Sequence, residues 1–166
     1  EGQWIVYAGN PDAYQDLDIL MEALNRLPHV HFVFVSASDA THWQRQHGRV
    51  LHILTSNFHD VQAIVQAADL AVIPRMHCTG FPIKLLNYLA LGTMTICSEG
   101  SAVELPGVVV IPNGDIDAMV ASIEYYLQHS EQRCALGQQA REHVLQSCTW
   151  AVQAQQLTEI YEGLRD

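Results

Sequence analysis

Residues 61–97 read VQAIVQAADLAVIPRMHCTGFPIKLLNYLALGTMTIC, a succession of two helical patterns that are each followed by a short apolar run. The apolar residues of the first pattern recur at the three- and four-residue spacing of a helix: Val61, Ile64, Val65 and Ala68. The runs at 70–74 and 93–97 have the length and composition of strands that are buried on both faces. This order of helices and strands predicts a parallel sheet with crossover helices.

The same alternation extends over most of the chain. Further apolar runs predict strands at 5–8, 31–36, 50–54 and 108–111. Asp115 is placed to cap a helix that runs to Gln128, and the pattern after it is helical, with a break at 147–150. We therefore expect a doubly wound α/β fold: one Rossmann-like domain over residues 1–166, with a six-stranded parallel sheet, helices on both faces and C-terminal helices.

The charge of the chain is strongly negative. Eighteen acidic residues stand against eight basic ones, which leaves a formal net charge of −10. This balance argues against broad contact with a nucleic-acid backbone or with an anionic membrane surface. No apolar run approaches the roughly 18 residues that a membrane span needs. We expect no nucleic-acid partner and no membrane span, and any phosphate that the protein binds has to be held locally.

The cysteines and histidines do not form the pattern of a metal site. The four cysteines have no paired or zinc-like spacing, and none of the nine histidines falls in an HExxH arrangement. We expect no metal, no cofactor, and reduced, mostly buried thiols, which are typical of the cytoplasm. His77 and Cys78 suggest a catalytic pair, but adjacent loop residues rarely point at each other, so this reading is disfavoured.

The segment at 79–92 predicts a helix start that faces a phosphate. Gly80 and Phe81 form a turn, Pro82 suits the first helical position, and Lys84 falls in the first turn. A cation at the positive end of a helix is unfavourable unless an anion lies between them. The unpaired N–H groups of that turn, together with Lys84, therefore predict an anion cradle. The alternative is that Lys84 turns away to solvent.

In a doubly wound sheet, ligands bind beyond the carboxyl ends of the strands, where the strand order reverses. Four predicted loops follow strands and are expected to surround such a site: 9–15, 54–58, 75–81 and 98–105. A nicotinamide-dependent oxidoreductase shares this sheet. However, the turn Gly9-Asn10-Pro11 is not the three-glycine fingerprint, and the second strand ends in Ser36-Ala37-Ser38 without an acidic residue. That class is therefore disfavoured.

Gly80-Phe81, Lys84 and Tyr88-Leu-Ala-Leu-Gly92, followed by an apolar strand, resemble the donor-site signature of the retaining family-4 (group 1) glycosyltransferases of the GT-B fold. Ala68-Asp69-Leu-Ala-Val-Ile-Pro74 is similar to the fourth strand of that family. The resemblance implies the C-terminal half of a two-domain enzyme, the half that binds a nucleotide-sugar donor. It implies a UDP- or GDP-sugar as donor and an acceptor bound by the N-terminal half.

The resemblance also implies a set of site residues. Lys84 is the expected catalytic group, because the helix start around it would stabilise the departing diphosphate. The other expected donor-site residues are Gly9, Asn10, Gln15, Leu54, Thr55, Thr79, Gly80, Phe81, Pro82 and Asn87.

The chain departs from the family at four charged positions. Asn87 and Thr79 replace glutamates that meet the ribose and the sugar, while Asn10 and Gln15 replace an arginine and a lysine that meet the phosphates. The loss of both cations forgoes roughly 3 to 6 kcal/mol, about two to four decades in affinity or rate. Arg75, just past the fourth predicted strand, is placed to compensate in part. A catalytically degenerate nucleotide-sugar-binding or scaffolding relative is therefore the alternative to an active transferase.

Overall fold

The computed structural model describes residues 2–40, 48–78 and 80–164. Their core is a parallel sheet in the order β3-β2-β1-β4-β5-β6. Its strands are β1 (Gln3–Ala8), β2 (Val30–Ser36), β3 (Val50–Leu54), β4 (Leu70–Ile73), β5 (Thr95–Ser98) and β6 (Val108–Ile111). The predicted six-stranded parallel sheet is therefore confirmed, with strand ends that move by at most two residues.

Helices cover both faces of this sheet. The helices of the described ranges are α1 (Leu17–Arg26), α2 (Phe58–Ala67), α3 (Ile83–Ala90), α4 (Ile116–Gln128), α5 (Ser130–Ser147) and α6 (Trp150–Gly163). Short 3-10 turns occupy Ala13–Gln15 and Glu99–Ser101. The side chains of α1 and α4 pack in one apolar cluster, and those of α2, α3 and α5 pack in a second one. The doubly wound α/β fold is thereby confirmed.

The strands are apolar at successive positions because both faces of the sheet are covered. In β1, Ile5 and Tyr7 belong to the cluster under α1 and α4, whereas Val6 belongs to the opposite cluster. All three side chains are fully buried. Alternate residues of a strand point to opposite faces, so a strand covered on both sides needs apolar side chains throughout. This is why short apolar runs were sufficient to locate the strands.

The C-terminal helices begin and end where the sequence predicts. Helix α5 ends at Ser147 and α6 begins at Trp150, and the Thr149 side chain accepts a hydrogen bond from Val152 N at 3.4 Å. Nothing on α6 is buried, and its apolar residues Leu157, Ile160 and Tyr161 lie exposed, as does Leu164 just after the helix. No helix in the described part of the chain is long and apolar enough to span a membrane.

The expectation of mostly buried thiols is wrong. Cys97 is buried in β5, but Cys78 and Cys148 are partly exposed and Cys134 is exposed. Helix α5 buries only Gly137, Ala140 and Val144, so it leaves Cys134 outside its narrow packing face. All four cysteines are free thiols.

Asp115 caps α4 as predicted, and its side chain accepts a hydrogen bond from Ala118 N at 2.8 Å. We expect Asp115→Ala to lower the free energy of unfolding by about 1 kcal/mol, because a first-turn N–H loses its partner. The melting temperature should fall by about 2 to 4 °C. Asp115→Asn, which keeps an acceptor oxygen, is the matched control in thermal denaturation. Equal melting temperatures for Asp115→Ala and the native protein would contradict this role of the cap.

Candidate functional site

The strand order reverses between β1 and β4, and adjoining cavities lie at the carboxyl edge of the sheet there. We call the larger one, of about 680 Å³, the main cavity; it lies between the ends of β1 and β2 and the helices α2 and α3. The smaller one, of about 260 Å³, is called the side cavity; it lies between the Ala13–Gln15 turn and the start of α3. Lys84 lines both cavities, so this residue stands where they meet.

Most of the predicted site residues gather around these cavities. Gly9, Asn10, Thr55 and Asn87 line the main cavity. Gln15, Phe81 and Pro82 line the side cavity. The fold therefore brings together residues from three loops that are far apart in the sequence.

Two predicted residues of the described ranges, Leu54 and Gly80, do not line either cavity. Leu54, at the end of β3, is 62% exposed. The carbonyl of Gly80 accepts a hydrogen bond from the Cys78 thiol at 2.9 Å, so this thiol is turned toward Gly80 rather than toward His77. Thr79 lies outside the described residues.

Lys84 points into the crevice between β1 and α3. Its Nζ donates hydrogen bonds to Tyr7 Oη at 2.6 Å and to Gln15 Oε1 at 3.1 Å, and it lies 4.2 Å from the centroid of the Tyr7 ring. The alternative that Lys84 turns away to solvent is therefore wrong. Burial above all, and the nearby positive charge of Arg75 next, lower the pKa of Lys84 from 10.5 to about 8.

Gly9 makes room for this lysine. A Cβ added to Gly9 would lie 2.6 Å from Lys84 Nζ and 3.1 Å from Tyr7 Oη. The side chain of any other residue at this position would displace the Lys84 amine. A glycine is therefore needed after β1 for steric reasons as well as for the turn.

Gln15, Tyr7 and Tyr88 form hydrogen bonds that hold the crevice between β1 and α3 in place. Gln15 is only 4% exposed, so its side chain is a buried hydrogen-bond partner of Lys84 rather than a solvent-exposed group. Tyr88 Oη donates to the Ala8 carbonyl at 3.0 Å and accepts from Ala8 N at 2.7 Å, which fixes α3 against the end of β1. Burial raises the pKa of Tyr7 and of Tyr88, so both hydroxyls stay protonated.

Sequence reasoning did not assign a role to Tyr7. The signal that was available is a single hydroxyl-bearing residue near the carboxyl end of a strand that is otherwise nearly all apolar. A buried tyrosine hydroxyl usually finds a hydrogen-bond partner, and here the partner is the lysine of the neighbouring helix.

The start of α3 differs in detail from the prediction. Pro82 precedes the helix, with φ −76° and ψ 84°, and Ile83 is the first helical residue. Pro82 is therefore not at the first helical position, because its ψ keeps it outside the helical region. Its carbonyl still accepts from Leu85 N at 2.8 Å. Lys84 remains in the first turn, and Asn87, three residues on, lies on the same side facing the main cavity.

The side chains of the described residues contain no group of three or more His, Cys, Asp or Glu that could hold a metal ion. Two cations, Lys84 and Arg75, line the side cavity, and Arg141 lines the main cavity, while the acidic Asp12 acts on Lys84 from nearby. The crevice is therefore suited chemically to an anion.

An anion-binding crevice at the switch point of a doubly wound sheet is the site of a large class of nucleotide-binding proteins. Residues 2–129 match the family model described as Glycosyl transferases group 1, and the chain belongs to that family. The resemblance recognised in residues 80–92 is thereby confirmed. No curated protein matches the sequence closely enough to count as a relative.

Solved structures show the same fold. Sucrose-phosphate synthase from Thermosynechococcus elongatus superposes with a TM-score of 0.84 at 20% identity, covering 99% of this chain and 46% of that protein. Anabaena HepE in complex with UDP-glucose gives a TM-score of 0.82 at 14% identity, over 98% of this chain and 49% of that protein. A glycosyltransferase from Rickettsia africae gives 0.80 at 15% identity, over 100% and 48%. The chain thus spans about half the length of these proteins.

Proposed function

We propose that this domain binds a nucleotide-diphosphate sugar and that, in the whole protein, the sugar is transferred from it to an acceptor. The observation that carries the proposal is the position of Lys84, whose amine stands in the first turn of α3 where the main and side cavities meet. Its hydrogen-bond partners in the described residues are the neutral groups of Tyr7 and Gln15. A diphosphate would supply the negative charge that this amine and the helix N-terminus both favour.

The main cavity has the size and lining for the nucleoside. Its volume of about 680 Å³ lies within the usual range of small-molecule sites. Asn87 has an amide that can exchange hydrogen bonds with ribose hydroxyls, and Thr55 and Asn10 add polar groups at the rim. Phe58, at the start of α2, is 55% exposed and lines the same cavity, where its ring offers a face to a base.

Catalysis in this proposal is electrostatic. As the bond between sugar and diphosphate breaks, negative charge grows on the leaving group. Lys84 and the first-turn N–H groups of α3 lie where the proposal puts the diphosphate, so in this mechanism they stabilise the growing charge.

We also propose that this domain is the C-terminal half of a two-domain enzyme whose other half binds the acceptor. The chain spans about half the length of sucrose-phosphate synthase and of HepE. The exposed apolar residues of α6, together with Trp150, which is 91% exposed, form a surface suited to packing against further protein.

A degenerate binding or scaffolding relative is the second candidate function. It is favoured by the neutral Asn10 and Asn87 at the main cavity, where the family has charged side chains. A transferase and a degenerate nucleotide-sugar-binding relative both bind a nucleotide, whereas a pure scaffold binds none. The transferase and the binding relative differ in turnover by the full-length protein, which a sugar-transfer or donor-hydrolysis assay measures.

Nucleotide binding is tested by thermal denaturation of this chain with UDP, GDP, CDP and ADP, each at millimolar concentration. We expect selective stabilisation by at least one of them, because a ligand that binds only the folded state adds about 2.7 kcal/mol at 100 times its Kd. UDP is the first probe, since structures of Anabaena HepE hold UDP or UDP-glucose. The matched nucleosides at equal ionic strength are the control. If none of the four diphosphates shifts the transition more than its nucleoside does, the proposed function is wrong.

A further inference from the structure

The side cavity contains a second positive charge that the proposed function does not use. Arg75 and Lys84 both line this cavity of about 260 Å³, together with Tyr14, Gln15 and Ser101. Its volume is several times the roughly 30 Å³ that one water molecule takes up in the liquid, so it has room for a phosphate or a sugar substituent.

We propose that Arg75 is a donor-binding residue: with Lys84 and the Ser101 hydroxyl it holds an anionic group of the donor in the side cavity. That group is either the distal phosphate or the carboxylate of an acidic sugar. The inference rests on the proposed function, and it names the part of the donor that this second cavity recognises.

The first support is that neither cation forms an ion pair with a carboxylate among the described residues. Asp12 is close enough to raise the pKa of Lys84, but burial and the charge of Arg75 lower that pKa by more. The other arginines described are each engaged elsewhere: Arg26 with Asp117, Arg133 with Asp69, Arg49 with the carbonyls of Leu24 and Val30, and Arg141 with that of Ala90. Arg75 likewise donates to a backbone carbonyl, that of His77, but it lines the side cavity and lies over the Tyr14 ring, 4.8 Å from its centroid. In a chain of net charge −10, two neighbouring cations whose hydrogen-bond and ring partners among the described residues are neutral form a local site for an anion, and Asp12 offsets only part of their charge.

The second support is independent of charge. Ser101 is 2% exposed, and its Oγ has no hydrogen-bond partner among the residues that the structure describes. Buried hydroxyls are nearly always hydrogen-bonded, and the exceptions call for an explanation. Because Ser101 lines the side cavity, an oxygen of a bound ligand would provide the missing partner.

The third support is that the loops around the side cavity are fixed to one another. The Asp16 carboxylate accepts a hydrogen bond from Met76 N at 2.8 Å, which joins the loop after β1 to the loop after β4. Gly100 packs directly on the Met76 carbonyl, and its N–H donates to Asn113 Oδ1 at 3.0 Å. Arg75 and Ser101 are the neighbours of Met76 and Gly100, so their positions are set before any ligand arrives.

The test uses Arg75→Gln, which keeps a planar polar group and removes the charge. Its control is Arg26→Gln on the exposed side of α1, where Arg26 pairs with Asp117 away from both cavities. Calorimetric titration with UMP, UDP, UDP-glucose and UDP-glucuronate separates the two sources of the anion. If the nucleotide panel selects GDP, the series is GMP, GDP, GDP-mannose and GDP-mannuronate.

We expect UMP affinity to change less than twofold in Arg75→Gln. If the anion is the distal phosphate, the affinities of Arg75→Gln for UDP, UDP-glucose and UDP-glucuronate fall about tenfold. This is the effect of losing one charge-assisted hydrogen bond. If it is a sugar carboxylate, only the UDP-glucuronate affinity falls. Ser101→Ala should weaken the same ligands without lowering the melting temperature, since it removes a hydroxyl that lacks a partner.

The result that overturns the inference is an equal change for all four ligands in Arg75→Gln and Arg26→Gln. If the binding of nucleotide diphosphates then still depends on Lys84, the proposed function stands without this second subsite. The absence of binding by the unmodified chain would overturn the proposed function itself, so the two failures are distinguishable.

Discussion

Gly100→Ala should lower the melting temperature by about 6 to 12 °C. A Cβ at this position would overlap the carbonyl oxygen and carbon of Met76, which are backbone atoms and cannot rotate away. Overpacking of this kind is destabilising by about 3 kcal/mol when the backbone has to move. For a chain of this size each kcal/mol corresponds to about 2 to 4 °C.

The matched control for Gly100→Ala is Gly163→Ala at the end of α6, where an added Cβ meets nothing within 4 Å. We expect a change of at most about 1 kcal/mol there, in the stabilising direction if the helical turn persists. The displaced loop also carries Ser101, so nucleotide-sugar affinity should fall along with stability. Equal melting temperatures for the two variants would show that the loop after β5 yields freely, and the fixed geometry of the side cavity would be wrong.

Lys84→Met should reduce the affinity for a nucleotide diphosphate by about one to two decades while it leaves the free protein as stable or more stable. A charge-assisted hydrogen bond contributes about 1.5 to 3 kcal/mol, which corresponds to that range in Kd. The stem of methionine fills the space of the lysine stem. Burial lowers the pKa of Lys84 to about 8, so the charged amine is disfavoured in the folded state and its removal relieves that cost. Calorimetric titration and thermal denaturation measure the two effects separately.

The pH dependence gives the same prediction a sharper test. The pKa of Lys84 is 10.5 in the unfolded chain and about 8 in the folded protein. Between these values the unfolded state binds more protons, so the stability of the native chain relative to Lys84→Met should rise with pH. Diphosphate affinity should do the opposite, because the anion requires the protonated amine, and it should fall by up to tenfold per pH unit above about 8. If diphosphate affinity depended on pH in the same way for the native chain and for Lys84→Met, the assignment of Lys84 to the phosphates would be contradicted.

The fold could be predicted from the sequence because its signals are local. Each strand is covered on both faces, so it appears as an apolar run, and each helix repeats its apolar residues at helical spacing. The sequence defines the ends of strands and helices less well where a neighbouring loop residue continues the apolar pattern of the element. The fifth strand was predicted from residue 93, but Thr93 N donates to the Tyr88 carbonyl at 3.0 Å and completes the end of α3, so β5 begins at Thr95.

The site was predictable only in part. Lys84 could be located from its unusual place at a helix start, because that conflict is visible within one turn of sequence. Its partners could not, since Tyr7 and Gln15 lie 77 and 69 positions away and meet it only when β1 pairs with β4. The family resemblance implies Leu54 as a site residue, yet its side chain is exposed and lines neither cavity.

By itself, the sequence determined the α/β class, the family to which the chain belongs and the presence of one cation at a helix start, because hydrophobic periodicity and turn residues act over a few neighbouring positions. Only the tertiary structure decided where that cation points. The strand order places β1 beside β4, and this arrangement brings the amine of Lys84 between two cavities and sets Arg75 near Ser101. The direction of a side chain and the meeting of distant loops depend on packing across the whole sheet, which no local pattern encodes.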